Sequence, residues 1–70
     1  RLIMKSILKI PTINNNDDIN TVREAIAKHE GVVACQISLS QKEASIIYDS
    51  SAVSLEEIKN SIEEVGHNLA

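Results

Sequence analysis

Two apolar stripes of identical spacing set the strongest constraint on this chain. Ile19, Val22, Ile26 and His29 fall at intervals of 3, 4 and 3, and so do Leu55, Ile58, Ile62 and Val65. That spacing is one face of an α-helix. Each stripe is followed by a glycine, Gly31 or Gly66, and then by a further apolar stretch. Met4–Ile10 precedes the first stripe and alternates: Ser6, Leu8 and Ile10 share one face, while Lys5, Ile7 and Lys9 share the other. Pro11 stops that strand because it has no N–H for a ladder. The first helix is predicted from Asp17 to about His29, with Gly31 as a left-handed C-terminal cap.

Val33–Leu39 reads as a second strand with Cys35, Ile37 and Leu39 inward. Ser40–Glu43 forms the hairpin connection, and Ala44–Asp49 a third strand with Ala44, Ile46 and Tyr48 inward. Ser54-Leu55-Glu56-Glu57 has the pattern of a capping box, in which Ser54 accepts from the third amide and Glu57 reaches back. The second helix is predicted to run to about Val65, and His67–Ala70 to begin a short fourth strand. The order β-α-β-β-α-β is a doubled βαβ unit. Right-handed crossovers place both helices on one face of a four-stranded antiparallel sheet. The expected class is α+β, with the ferredoxin-like fold.

At 70 residues there is room for one domain, over residues 1–70. Met4 is a candidate start, with residues 1–3 added or upstream. A chain this short buries only about 60% of its unfolded surface, so its core is thin. One cysteine excludes a disulfide scaffold and a zinc site made of cysteines alone. No apolar run is long enough to span a membrane, so direct membrane insertion is not expected. A net charge of −3 has the wrong sign for non-specific nucleic-acid binding, and Tyr48 is the only aromatic residue on which a base could stack.

The fold hosts many activities, so the residues must decide function. The outward positions of the two central strands, Lys5, Ile7, Lys9, Ser45 and Ile47, lack the aromatics of an RNA-recognition module. The loop after the first strand is Asn14-Asn15-Asn16-Asp17-Asp18, which would repel phosphate and suits helix capping instead. The glycine that a small-molecule regulatory domain of the ACT type would show near the first loop is absent. No nucleophile–base pair is apparent, and an enzyme is not expected.

Several segments together resemble the heavy-metal-associated (HMA) domain of copper chaperones and of the cytosolic ends of metal-transporting P-type ATPases. They are Leu8-x-Ile10, Val22-Arg23-Glu24-Ala25-Ile26, Glu30-Gly31-Val32, Tyr48-Asp49, Val53-Ser54-Leu55-Glu56-Glu57-Ile58 and Ile62-Glu63-Glu64-x-Gly66. The resemblance spans Met4–Ala70. Pro11-Thr12-Ile13 and Gly66-His67 are similar to a copper-chaperone branch found in cyanobacteria, in which a histidine of the last loop sits beside the metal. The family pattern in the first loop is Met-x-Cys-x-x-Cys. Counted back from Val22, its positions are Ile13, Asn15 and Asp18, so both thiolates are missing.

Thiolate sulfur is soft and suits Cu(I); asparagine and carboxylate oxygens are hard. The expectation is therefore no bound cofactor and no Cu(I). Asn14, Asn16 and Asp18 alternate like the start of an EF-hand, but its sixth position is Ile19 and its twelfth Ala25. A weak divalent site on Asp17, Asp18 and His67 is the metal alternative; otherwise His67 is a partly exposed loop histidine. His29 is expected half-buried in the last turn of the first helix, and Cys35 as a small core residue. Glu56, Glu57, Glu63 and Glu64 make an acidic face, with Lys59 positioned to pair with Glu63. The resemblance implies charged docking near the metal loop, here through Asn14, Asn15, Asn16, Asp17, Glu63 and Glu64. Its partner would be another HMA domain or a P-type metal ATPase. The leading expectation is a degenerate HMA domain used for docking or regulation in metal trafficking. It would be cytoplasmic, or the cytosolic domain of a transporter. The third alternative is a structural domain of a larger chain.

Overall fold

The computed structural model describes residues 1–70. The elements are β1 (Ile3–Lys9), α1 (Asn16–Ala27), β2 (Val32–Ser38), β3 (Glu43–Asp49) and α2 (Leu55–Glu64). β3 lies in the middle of an antiparallel sheet of order β1-β3-β2. Ser6 faces Ile46 and Leu8 faces Ala44 on one side; Cys35 faces Ile46 and Ile37 faces Ala44 on the other. Ala44, Ile46 and Tyr48 are all buried, so the alternation read from the sequence places the central strand in the correct register.

The inward strand residues Leu8, Ala44, Ile46 and Tyr48 share one core with Val22 and Ile26 of α1 and Ile58 and Ile62 of α2. Successive side chains of a strand point to opposite faces, so both helices cover the same face of the sheet. Ile10, Ile13 and Val53, from the segments between elements, complete the core. On the opposite face Lys5, Ile7 and Lys9 are exposed.

The fourth strand is not formed. After Gly66, whose φ is +92°, the His67 N–H bonds to the Ile62 carbonyl and the ring is drawn under the first loop. Leu69 packs against the core, and a single backbone bond, Ala70 N–H to the Lys9 carbonyl, touches the β1 edge. One bond is not a ladder, so the sheet has three strands.

Four smaller expectations are corrected. Leu39 lies in the turn after β2 and is exposed, because β2 ends at Ser38. Val65 is exposed and outside α2, since the chain already turns there toward Gly66. Gly31 does not take a positive φ: α1 ends at Ala27 with Lys28 as its cap. Gly31 is needed instead for close approach, because a Cβ there would stand 2.5 Å from Val53 Cγ1. The acidic face of α2 pairs Lys59 with Glu56 at 3.8 Å and not with Glu63.

Candidate functional site

The first loop is built from its helix cap outward. Asn15 is extended, with φ −153° and ψ 178°, and serves as the N-cap of α1. Its Oδ1 accepts the Asp18 N–H at 2.9 Å, and Asp18 Oδ2 accepts the Asn14 N–H at 2.9 Å. This is a reciprocal cap: each side chain satisfies an amide at the other end of the turn. The two first-turn carboxylates, Asp17 and Asp18, also lie at the positive end of the helix dipole. Ile13 is fully buried and anchors the loop from below.

His67 meets this cap from the other side of the molecule. The residue is 8% exposed, so it is a buried histidine and not the partly exposed one expected from sequence. Nδ1 lies 2.8 Å from the Thr12 hydroxyl, and Nε2 lies 3.7 Å from Asp18 Oδ1. Asp17 does not join them: it is exposed, and its carbonyl accepts the Thr21 hydroxyl. No three His, Cys, Asp or Glu side chains converge anywhere in the chain. The structure thus brings together two of the three residues proposed for a divalent site.

The family model for the heavy-metal-associated domain matches residues 19–68. The chain belongs to that family. The HMA match begins at Ile19, one residue past Asp18, and so takes in the chain from within α1 onward, without β1 or the first loop. Copper chaperone CopZ of Staphylococcus haemolyticus is 34% identical over 50 residues, which cover 71% of this chain and 74% of that protein. Copper-transporting ATPase 2 of Mus musculus is 26% identical over 65 residues; those residues are 93% of this chain but 4% of the transporter. A solved CopZ metallochaperone superimposes with a TM-score of 0.92 at 24% identity, over 96% of this chain and 100% of that one. No helix of this HMA domain is long and apolar enough to cross a membrane.

The remaining HMA candidates separate. His29 stands past the end of α1, half-buried, with Nε2 2.7 Å from the Ser61 hydroxyl. Ser61 Oγ also lies 3.0 Å from the Glu57 carbonyl. His29 is therefore a link between helices. Cys35 is a half-buried free thiol on β2, packed against the core. Asn14, Asn15, Asn16 and Asp17 are exposed at the loop, and Glu63 and Glu64 at the end of α2. Glu64 also lies 3.9 Å from Lys28, an exposed pair of little energetic weight. Ser54 accepts the Glu57 N–H at 3.1 Å as expected, while the Glu57 carboxylate takes the Ser54 hydroxyl.

Sequence reasoning missed Lys42 and Ser61. Lys42 donates from its ammonium group to the Ile13 carbonyl and, at 3.0 Å, to Asn14 Oδ1. Its one sequence signal was a cation in a turn, with an Asn/Asp loop elsewhere in the chain lacking any cation of its own.

Proposed function

We propose that this HMA domain has no thiolate copper site in its first loop. It works as a docking or regulatory module in metal-ion trafficking, in the cytoplasm, either free or as part of a metal-transporting P-type ATPase. One observation carries the reading. Asn15 and Asp18, which stand where the family pattern has cysteines, direct their side chains to the amides of Asp18 and Asn14. Groups that satisfy helix amides are hard oxygen donors already in use, and Cu(I) prefers soft sulfur. The exposed loop residues Asn14–Asp17 and the exposed carboxylates Glu63 and Glu64 are the surface that would meet a basic face on another HMA domain or an ATPase. The reading assigns the domain no catalysis.

The test is a competition titration against a colorimetric Cu(I) chelator. All copper is expected to stay on the chelator; stoichiometric transfer to the protein would sink the proposal. The 3.7 Å approach of His67 to Asp18 favours a second reading, a divalent site completed by Asp17. Zn²⁺ added to the same protein would then shift the amide NMR signals of Asp17, Asp18 and His67 together. The absence of a converging triad makes docking the function the geometry supports best.

A further inference from the structure

Lys42 is the one residue other than glycine with a positive φ, +54°. For a lysine that backbone is unfavourable, because its Cβ crowds the following carbonyl, and such outliers persist where surrounding contacts hold them. Here the contacts all lead to the first loop. The Lys42 carbonyl accepts the Ile10 N–H at 2.7 Å. Its ammonium group donates to the Ile13 carbonyl and to Asn14 Oδ1. Asn14 is in turn the residue whose N–H is held by Asp18, and its Nδ2 donates to the Thr12 carbonyl at 3.2 Å. Between Pro11 and Val22 the chain has two carboxylates and no cation. Lys42 supplies the missing positive charge from the β2–β3 turn.

We infer that Lys42 is the built-in cation of this loop. Its ammonium group orders Ile13 and Asn14 without a bound metal ion, so the shape of the exposed Asn14–Asp17 surface depends on charge at Lys42. This rests on the docking reading above and adds a regulation to it. Neutralising the amine, as lysine acetylation does, removes the charged donor and frees Asn14.

The decisive variant is Lys42→Gly. Glycine accepts the positive φ and keeps the backbone carbonyl for Ile10, so the side chain and its ammonium group are lost without disturbing the turn. Amide hydrogen exchange at Asn14 and Asp18 should quicken by about tenfold or more, the worth of one charged hydrogen bond. The central-strand amides of Ile46 and Tyr48 should not change. Methylammonium, supplied at constant ionic strength, should restore protection in the variant and leave the wild type unaffected. Lys42→Asn, which also tolerates the backbone, should behave as Lys42→Gly does. Unchanged exchange at Asn14 and Asp18 would overturn the inference, as would quickening that methylammonium cannot reverse. Cu(I) uptake by the wild type would instead sink the docking reading and leave the exchange result standing.

Discussion

At Asn15 and Asp18 the choice between a metal loop and a helix cap comes down to which atoms the two side chains carry. Oxygen at both positions accepts amide protons and closes the first turn of α1. Sulfur at both would accept those protons poorly and hold Cu(I) well. The surrounding scaffold is intact: Ile13 is buried beneath the loop and His67 lies beside it. Asn15→Cys combined with Asp18→Cys is therefore expected to bind Cu(I) in the chelator competition. Losing the reciprocal cap should cost about 1 to 2 kcal/mol and lower the melting temperature. A folded double variant that leaves all copper on the chelator would show that the loop backbone, braced by Lys42, no longer follows the family path.

At the level of elements, the two helices are joined by more than their apolar stripes. His29, past the end of α1, is hydrogen-bonded to Ser61 on the buried side of α2. Ser61 would otherwise look like a defect on the face shared by Ile58 and Ile62. Its hydroxyl returns a proton to the Glu57 carbonyl, so both of its bonds are made within the packed interface. Ser61→Ala removes the hydrogen-bond partner of His29 and is expected to destabilise the domain by about 1 kcal/mol, partly offset by the better helix propensity of alanine. A double-mutant cycle with His29→Ala, followed by urea unfolding, should give a coupling energy of about 1 kcal/mol. A coupling near zero would mean that the two side chains act independently.

Across the whole molecule, the start of the chain is tied to the end of the central strand through one carboxylate. Asp49 Oδ1 accepts the Ser51 hydroxyl at 2.6 Å, the Ser51 N–H at 3.0 Å and the Leu2 N–H at 3.1 Å. The Ser51 hydroxyl does most to hold the carboxyl below its ordinary value, lowering its pKa from 3.8 to about 2; the Leu2 and Ser51 amides add to this. A carboxyl whose pKa is depressed by folding stabilises the fold above its unfolded pKa and loses that contribution as pH falls through the folded one. The window here is therefore pH 3.8 down to about 2. Asp49→Asn should melt below the wild type at neutral pH, and the difference between the two should shrink through that window. Thermal melts followed by circular dichroism measure it; a difference independent of pH would show that the carboxylate is not the tie.

The residue pattern by itself determined both helices, the three strands of the sheet, the inward residues of the central strand, a helix cap somewhere in Asn14–Asp18 and the cap at Ser54. Those features rest on periods of two or 3.6 residues and on hydrogen bonds spanning three residues, all of which a short stretch of sequence contains. The family followed from the same local segments. The rest was settled by contacts between residues far apart in the chain. Gly31 is small because Val53 packs on it, not because its backbone turns left-handed. His67 is buried because the turn after α2 delivers it to Thr12 and Asp18, and that path leaves one backbone bond where a fourth strand was expected. Lys42 reaches a loop 28 and 29 residues away along the chain. No local period encodes such meetings: they are decided when the helices and the sheet pack and bring side chains from distant segments within hydrogen-bonding reach of one another.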